Sequence, residues 1–299
     1  MPTYKPLAEI MRPSSLADFV GQRHLLDADK PIGKTLADGK LHSMILWGPP
    51  GSGKTTLARI VCNQMGAHFE QMSAVLDGIK ELRNVLDHAQ RYQQNNKSTV
   101  LFVDEIHRFN KAQQDAFLPH IESGLITLIG ATTENPSFEI NSSLLSRLRV
   151  YVLKKLNDDE LSIVANRALE SQSVNFEDDG SLSQIIAASG GDARRLINII
   201  EQLSQKSDKP LNQNDVTKTL QEKIGTFDKG GDIFYQQLSA FHKSVRGSSP
   251  DGALYWMARM LVSGCDPKVI ARRLLAIASE DIGNADPRAL QITLNAWDV

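Results

Sequence analysis

Cysteine is scarce in this sequence. Only two occur among 299 residues, Cys62 and Cys265, and each stands in an apolar, helix-like stretch. Neither has a second cysteine or a histidine at the spacing of a metal site, which disfavours a zinc site or a redox motif. We expect both to be buried, reduced thiols.

Long apolar runs and an excess of one charge are lacking as well. No uninterrupted apolar run reaches the ~18 residues of a membrane span, and residues 1–12 contain no apolar segment of a signal peptide. The sequence therefore predicts a cytoplasmic protein that makes no membrane contact. With 33 basic against 35 acidic side chains, the formal net charge is −2, so binding to nucleic acid would need a local basic patch.

The first half of the chain contains an alternation of strand-like and helix-like segments. Short apolar runs are separated by segments with helical periodicity, a pattern that predicts a parallel sheet covered by helices on both faces. The predicted strands are Ser43–Trp47, His68–Met72, Thr99–Val103, Leu125–Gly130 and Arg149–Leu153, and the helices between them include Lys54–Met65, Gly78–Gln93 and Lys111–Glu122.

After Asn157 the strand-like runs end and the remaining segments are helical in pattern. Gly225, Gly230 and Gly231 indicate a linker within this part. The predicted helices are Asp158–Glu170, Ser181–Ser189, Asp192–Lys206, Asn214–Glu222, Ile233–Val245, Asp251–Val262, Pro267–Ser279 and Pro287–Trp297. The predicted parts of the chain are an N-terminal segment (1–40), an α/β domain (41–155), a small helical domain (156–224) and a helical C-terminal region (225–299).

The strongest chemical signal follows the first predicted strand. Residues 48–55 read GPPGSGKT, which matches the phosphate-binding pattern G-x-x-x-x-G-K-[ST] between a strand and a helix. Glycines there let backbone N–H groups surround phosphates at a helix N-terminus, where the dipole favours an anion. We expect Lys54 to reach the β- and γ-phosphates of ATP and Thr55 to bind Mg²⁺. The predicted phosphate-binding residues are Gly48, Pro49, Pro50, Gly51, Ser52, Gly53, Lys54, Thr55 and Thr56.

Two adjacent acids follow the third predicted strand. Asp104 and Glu105 come directly after the apolar run Val100–Val103, at the carboxyl end of a strand, where ligands bind in parallel sheets. We expect Asp104 to hold Mg²⁺ through water and Glu105 to polarise the attacking water. Two acids that merely end a strand at the surface are the alternative, which the upstream phosphate-binding loop disfavours.

These motifs and several further segments resemble the AAA+ ATPases of the clamp-loader group. More narrowly, the chain resembles the family of the bacterial replication-associated recombination proteins and Werner helicase-interacting protein, and the resemblance runs through essentially the whole chain. It implies an α/β P-loop NTPase core with a parallel sheet, a helical lid domain and a further all-helical region. The segments that carry it are Asp104–Lys111, Ile129–Pro136, Leu145–Arg147, Gly191–Arg195, Pro6–Pro13, Val20–Gln22, His242–Ser248 and Ala278–Pro287.

The resemblance implies a sensor residue beside the catalytic Lys54 and Glu105. Thr133 matches the sensor 1 position, whose hydroxyl reaches the γ-phosphate or the lytic water, and Asn135 is the alternative. As two β-forming residues at a strand end, Thr132 and Thr133 could also be purely structural.

Two arginines complete the implied catalytic set. Arg147 matches the arginine finger that is offered to the γ-phosphate of a neighbouring subunit, with Arg149 as the alternative. Arg194 matches sensor 2 at the start of a lid helix, where it reaches back over the phosphates. Arg195 lies on a different side of the same helix and is more typical of a solvated or packing cation.

The adenine side of the site is implied by the family pattern alone. Val20 and the backbone at Gly21 and Gln22 are expected to contact the base, with Arg12 nearby. An apolar residue before a glycine is common, so a structural role for Val20 remains an equal alternative.

An arginine finger acts in trans, so the resemblance also implies a homo-oligomer, which in this family is a tetramer. The family usually continues with more helical sequence after the point where this chain ends, at Val299. We therefore expect the region 225–299 to be an incomplete oligomerisation domain and the chain to be a shortened form whose assembly is weakened.

The function implied by the family is ATP hydrolysis coupled to action on DNA at stalled or gapped replication forks, in the nucleoid. The implied partners are DNA with single-stranded ends or gaps, single-strand-binding protein, polymerase and clamp-loading machinery. Local cations that could contact phosphates are His242, Lys243, Arg246, Arg272 and Arg273, although solvated helix faces explain them equally well. Of the nearby aromatics, Phe241, Tyr255 and Trp256 are expected in the core.

Proteins with other functions share these motifs. A protein-remodelling AAA+ ATPase would carry an aromatic pore loop after the second strand, and the segment Ser73–Lys80 has no aromatic residue. A non-hydrolysing assembly switch commonly loses a catalytic residue, whereas all those named above are present. A clamp-loader subunit or a branch-migration motor shares the core motifs, and the C-terminal segments of the narrower family argue against a branch-migration helicase.

Overall fold

The computed structural model of the protein describes residues 5–176, 180–205, 210–224, 232–262 and 265–298. The chain divides into two compact units, Met1–Val216 and Thr217–Val299. The predicted linker glycines Gly225, Gly230 and Gly231 lie outside the described residues.

A five-stranded parallel sheet forms the centre of the first unit, as the alternating pattern predicts. The spatial order is β2-β3-β4-β1-β5, and every neighbouring pair is parallel. Each predicted strand agrees with an observed one to within two residues at either end. The strands are β1 Met44–Trp47, β2 His68–Ser73, β3 Thr99–Asp104, β4 Thr127–Thr132 and β5 Arg149–Val152.

The helices of the first unit surround the sheet and continue beyond it. The predicted helix Lys111–Glu122 is wrong as a single element, because Pro119 has no N–H to donate to Asp115 and its ring would clash with that carbonyl. The helices are α1 Leu7–Ile10, α2 Arg23–Leu26, α3 Pro31–Ala37, α4 Lys54–Gln64, α5 Ile79–Gln94, α6 Lys111–Asp115, α7 Leu118–Glu122, α8 Pro136–Glu139, α9 Ser142–Leu145, α10 Asp158–Gln172, α11 Gly180–Ser189 and α12 Ala193–Ser204, and α13 Gln213–Ile224 contains the division between the units.

Hydrophobic side chains cover both faces of the sheet. Leu101 of β3 belongs to the cluster that includes Leu82 of α5, whereas Phe102 belongs to the cluster that includes Leu57 of α4. Successive residues of a strand point to opposite faces, so one continuous apolar strand serves two cores. Burying such a side chain contributes about 1.5–3 kcal/mol, and this packing fixes the carboxyl ends of the strands beneath the candidate site.

Helices α10, α11 and α12 pack together after the sheet, as the change in sequence pattern predicts. Asn157 caps α10, because its Oδ1 accepts from the backbone N–H of Glu160 at 2.8 Å and Glu160 Oε2 accepts from the N–H of Asn157 at 2.9 Å. Leu196 and Ile200 of α12 are completely buried. This packing places the N-terminus of α12 near the sheet.

The second unit is helical throughout its described residues. Its core is formed by side chains that include Leu238, Phe241 and Met260. The predicted helix Pro267–Ser279 is confirmed to within two residues at its C-terminal end, where the α-helical turns stop at Ile277 and a π-helical turn, Ala278–Ile282, follows. The helices are α14 Asp232–Arg246, α15 Pro250–Val262, α16 Pro267–Ile277 and α17 Arg288–Asp298.

Aromatic burial in this unit differs in part from the expectation. Phe241 is 2% exposed and Trp256 packs against the core as predicted, but Tyr255 is 54% exposed. Tyr255 and Trp256 are consecutive on α15 and therefore point in different directions, so only one of them can face the core.

The cysteines and the helix lengths agree with the compositional analysis. Cys62 and Cys265 are both buried. Among the described residues, none of the helices combines the length and the apolar character that crossing a membrane requires.

Candidate nucleotide-binding site

A cavity of about 510 Å³ lies at the carboxyl end of the sheet in the first unit. Its volume falls within the roughly 300–1,000 Å³ of ligand pockets. It is lined by the phosphate-binding loop, the end of β3, the N-terminal segment and helices α10 and α12. The predicted site residues on its wall are Arg12, Val20, Pro50, Gly51, Ser52, Gly53, Lys54, Thr55, Thr56, Asp104, Glu105, Thr133 and Arg194.

The phosphate-binding loop requires glycine at two positions for both conformation and space. Gly51 and Gly53 have φ angles of +67° and +94°, in the left-handed region that side chains disfavour. A Cβ at Gly51 would lie 1.8 Å from Asp192 Oδ1, and one at Gly53 would lie 2.8 Å from Phe19 Cζ. The loop is therefore packed closely against α12 and the N-terminal segment.

Lys54 begins α4 and is 8% exposed. Its Nζ donates to the carbonyl oxygens of Gly48 at 2.7 Å and Pro49 at 2.9 Å. Burial lowers the pKa of Lys54, and the carboxylates of Glu105 and Asp104 oppose that shift. Because its hydrogen-bond acceptors are uncharged, the ammonium group gains from an anion placed in the loop.

The two predicted acids lie together on the cavity wall. Asp104 is the last residue of β3, and Glu105 follows it with φ +53°. A positive φ is uncommon for a residue with a side chain and is typical of functional sites. The turn directs the chain away from the sheet, and the Glu105 side chain remains 34% exposed.

His107 is a neighbour of Glu105 to which the sequence analysis assigned no role. Its side chain is 9% exposed, and its Nδ1 lies 3.3 Å from Glu105 Oε2. The same Nδ1 is hydrogen-bonded to Thr132 Oγ1 at 2.9 Å. The only sequence signal was its place in the Asp104–Lys111 motif, and the contact with Thr132 joins residues 25 positions apart.

Thr133 and Asn135 occupy different surroundings. Thr133 lines the cavity, and its carbonyl accepts from Trp47 Nε1 at 3.3 Å. Asn135 caps α8, with Oδ1 accepting from the N–H of Ser137 at 3.0 Å, and is not among the lining residues. The geometry therefore brings Thr133, rather than its alternative, to the phosphate side.

Arg194 and Arg195, in the first turn of α12, have different surroundings. Arg194 lines the cavity and Arg195 does not. Asp192 caps the helix, since its Oδ1 accepts from the N–H of Arg195 at 2.9 Å. Asn198, one helical turn after Arg194, also faces the cavity. The i, i+4 spacing of Arg194 and Asn198 could have revealed this shared face from the sequence.

The N-terminal segment contributes only part of its predicted set. Val20 and Arg12 line the cavity, and Arg12 forms an ion pair with Glu9. Gly21 and Gln22 are not among the lining residues. Gln22 is buried, with Nε2 donating to the Lys154 carbonyl at 2.7 Å and Oε1 accepting from the Lys154 N–H at 2.9 Å. Its amide therefore binds this segment to the residues that follow β5.

Neither candidate finger arginine lines the cavity of its own chain. Arg147 follows α9, and its Nε donates to Glu122 Oε1 at 2.6 Å while Nη1 donates to the Ser143 carbonyl at 2.7 Å. Arg149 begins β5. Burial lowers the pKa of His42, and the charge of Arg149 adds to that shift. Arg147 is 40% exposed at its side chain and accessible from outside the chain.

The site fits a nucleoside triphosphate with Mg²⁺. The loop glycines leave open a space in which a Cβ would collide with neighbouring atoms. The buried ammonium of Lys54 has no anionic hydrogen-bond acceptor. Thr55 and Asp104 both lie on the cavity wall. The described residues contain no group of three or more His, Cys, Asp or Glu side chains able to hold a metal by themselves.

Three protein-family models match consecutive parts of the chain. Residues 44–156 match the model of the ATPase family associated with various cellular activities (AAA). Residues 170–246 match the AAA C-terminal domain, and residues 247–299 match the model described as MgsA AAA+ ATPase C terminal.

Two characterised relatives are similar over nearly the whole chain. Replication-associated recombination protein A of Coxiella burnetii is 53% identical over 98% of this chain and 69% of its own length. The protein of the same name from Escherichia coli K12 is 50% identical over 99% of this chain and 69% of its own length. Among solved structures, the Thermotoga maritima RuvB Holliday junction branch migration motor is 27% identical, with a TM-score of 0.62 over 87% of each chain.

Proposed function

This chain belongs to the replication-associated recombination protein A family of AAA+ ATPases, and from that premise we propose that it couples ATP hydrolysis at subunit interfaces to action on DNA at stalled or gapped replication forks. The proposed ATP hydrolysis is supported by one observation: the predicted catalytic residues line a single cavity. Residues far apart in sequence, Lys54, Glu105, Thr133 and Arg194, share its wall.

Each of these side chains has a distinct role in the proposed reaction. Lys54 binds the β- and γ-phosphates in place of the two carbonyls it now contacts, and Glu105 orients and polarises the attacking water. Thr133 contacts the γ-phosphate or that water, and Arg194 reports the nucleotide state to the lid helix. Thr55 and Asp104 would hold Mg²⁺, which would neutralise charge on the phosphates.

Arg147 is the residue that makes hydrolysis depend on assembly. Arg147 does not line the cavity of its own chain, which supports a role at the phosphate of a neighbouring subunit. Its guanidinium stabilises the charge that develops on the transferred phosphoryl group. A homo-oligomer is therefore part of the proposed mechanism.

We propose that copies of the chain associate through the second unit. Helices α15 and α17 expose large apolar side chains, among them Leu254, Val262 and Ile292 at 58%, 77% and 64% exposure. Exposed apolar side chains in such number are typical of protein–protein contact sites.

DNA with single-stranded ends, gaps or forks is the proposed polymer substrate, and single-strand-binding protein and replisome components are the proposed protein partners. Two of the candidate cations of α14, His242 and Arg246, already contact an acid in this structure. Asp281 is 2.6 Å from His242 Nε2 and 3.4 Å from Arg246 Nε. Arg272 lies over the Trp297 ring, 5.9 Å from its centroid. Contact with DNA through His242 and Arg246 would require the phosphate to replace Asp281.

A second candidate, a branch-migration motor, is favoured by the likeness to the Thermotoga maritima structure. The two functions differ in their DNA substrate. A four-way junction should stimulate a branch-migration motor, whereas gapped and forked duplexes should stimulate the function proposed first.

The test is the steady-state ATPase rate against protein concentration, without DNA and with gapped duplex, fork or four-way junction. We expect the rate per subunit to rise with concentration and to be stimulated most by gapped or forked DNA. Lys54→Ala, which removes the ammonium from the loop, is the control for contaminating ATPase. A flat rate that is indifferent to every DNA would contradict the proposal.

A further inference from the structure

Glu105 has a partner within the protein that no proposed step uses. Between the end of β4 and Glu105 lies the imidazole of His107, 9% exposed, with the fully buried Ile106 preceding it. We infer that His107 is a positioning residue for Glu105, and that through Thr132 it ties the orientation of the Glu105 carboxylate to the segment that carries Thr133. This inference rests on the proposed role of Glu105 in hydrolysis.

The anchor of this arrangement is the Thr132 hydroxyl. Thr132 is completely buried, and its Oγ1 accepts from the N–H of Glu134 at 3.0 Å. His107 Nδ1 is hydrogen-bonded to the same Oγ1 at 2.9 Å. The hydroxyl therefore joins the backbone after Thr133 to the imidazole, and movement of that backbone is transmitted to His107 through short hydrogen bonds.

The Glu105 carboxylate contacts the same nitrogen of His107. Its Oε2 lies 3.3 Å from His107 Nδ1, close to hydrogen-bond distance, while the carboxylate remains 34% exposed and faces the cavity. A single ring nitrogen carries at most one hydrogen, so Nδ1 can donate fully to only one of the two oxygens at a time. When His107 Nδ1 donates to Thr132, the Glu105 carboxylate is free to bind water. When His107 Nδ1 donates to Glu105, that carboxylate is held against the cavity wall.

The position of the interacting nitrogen distinguishes this role from simple packing. The side-chain amide of asparagine places its terminal atoms near Nδ1 of histidine, whereas that of glutamine reaches the position of Nε2. His107→Asn should therefore preserve the contacts with Thr132 and Glu105, and His107→Gln and His107→Ala should lose them. His88, 52% exposed on α5 and absent from the cavity wall, provides the matched control His88→Ala.

Four quantities are measured for these variants in the full chain: kcat and KM for ATP, affinity for a fluorescent ADP analogue, and melting temperature. General-base catalysis contributes about 100- to 10,000-fold, so disordering the base should cost about tenfold in kcat. We expect that loss for His107→Ala and His107→Gln, with KM and ADP affinity within about twofold of the parent. His107→Asn should remain within about threefold in kcat, and His88→Ala should match the parent.

Further variants keep the test decisive if His107→Ala does not fold. Thr132→Val preserves shape but removes the hydroxyl, and it should lower kcat severalfold at unchanged ADP affinity. In single-turnover experiments on the Glu105→Gln background, adding His107→Asn or His107→Gln should change the residual rate equally little, because the base through which His107 acts is already missing.

The inference is overturned if kcat is unchanged in His107→Ala and Thr132→Val, or if His107→Asn and His107→Gln, each made alone in the parent chain, have the same kcat. It is also overturned if the His107 substitutions lower the residual rate of Glu105→Gln by a further tenfold. A parental rate for Glu105→Gln alone would instead contradict the proposed catalytic function, so the two failures are distinguishable.

Discussion

Arg147 is bound to Glu122 of its own chain. Its Nε donates to Glu122 Oε1 at 2.6 Å, and both side chains are substantially exposed, at 40% and 53%. Exposed ion pairs contribute only about 0–1 kcal/mol, so a phosphate on a neighbouring subunit can replace Glu122 at little cost. The carboxylate thus orients the guanidinium of an isolated chain and competes with the ligand that we propose for it.

Replacing Glu122 with glutamine should raise the ATPase rate. The amide oxygen retains an acceptor for Nε, but the competing charge is removed, and a change of up to 1 kcal/mol corresponds to an increase of up to about fivefold. The measurement is kcat at a protein concentration that saturates assembly. Glu139→Gln, an exposed substitution on α8, serves as the control. A decrease in rate for Glu122→Gln alone would show that the carboxylate assists the finger.

Gly51→Ala should abolish nucleotide binding. The added Cβ would lie 1.8 Å from Asp192 Oδ1, so the loop and the start of α12 would have to separate. Gly124 has a similar φ, +69°, with open space around it, so Gly124→Ala reproduces the backbone strain without the collision. We expect a loss of more than about tenfold in ADP affinity for Gly51→Ala, while Gly124→Ala costs about 1 kcal/mol of stability at normal affinity. Equal affinities would contradict this.

The Cys62 thiol should resist alkylation in the folded protein. Burial raises its pKa to about 11, so the reactive thiolate is suppressed at every pH below that value. Because the raised pKa keeps the thiol protonated in the folded state, its contribution to stability is present at neutral pH and is lost as the pH rises towards 11. Iodoacetamide labelling at pH 8, followed by mass spectrometry, should modify Cys62 only after unfolding in urea. Rapid labelling of the native protein would contradict its burial.

Elements with a local sequence signal could be predicted from the sequence. Apolar runs located all five strands, because a parallel sheet buried on both faces requires continuous apolar strands. The loop pattern likewise located Lys54 at the start of a helix. The break at Pro119 was also present in the sequence, since proline cannot donate the helical hydrogen bond to Asp115.

Contacts between distant segments could not be predicted in this way. The close approach of Gly51 to Asp192 and the hydrogen bond between His107 and Thr132 depend on how elements pack after folding. Gln22 matched a family pattern for the adenine side, yet the structure uses its amide to hold the residues that follow β5. A residue type in a motif therefore indicates a location more reliably than a particular contact.

The central claim, that each site is completed by a neighbouring subunit, is tested most directly by mixing two inactive variants. Glu105→Gln retains Arg147 but lacks the base, and Arg147→Ala retains the base but lacks the finger. Separately, each should have little ATPase activity. A 1:1 mixture should recover about a quarter of the parental rate, because complementary subunits meet in the productive order at about a quarter of the interfaces of a closed ring. A mixture no more active than the sum of its separate components, or a parental rate for Arg147→Ala alone, would contradict the account.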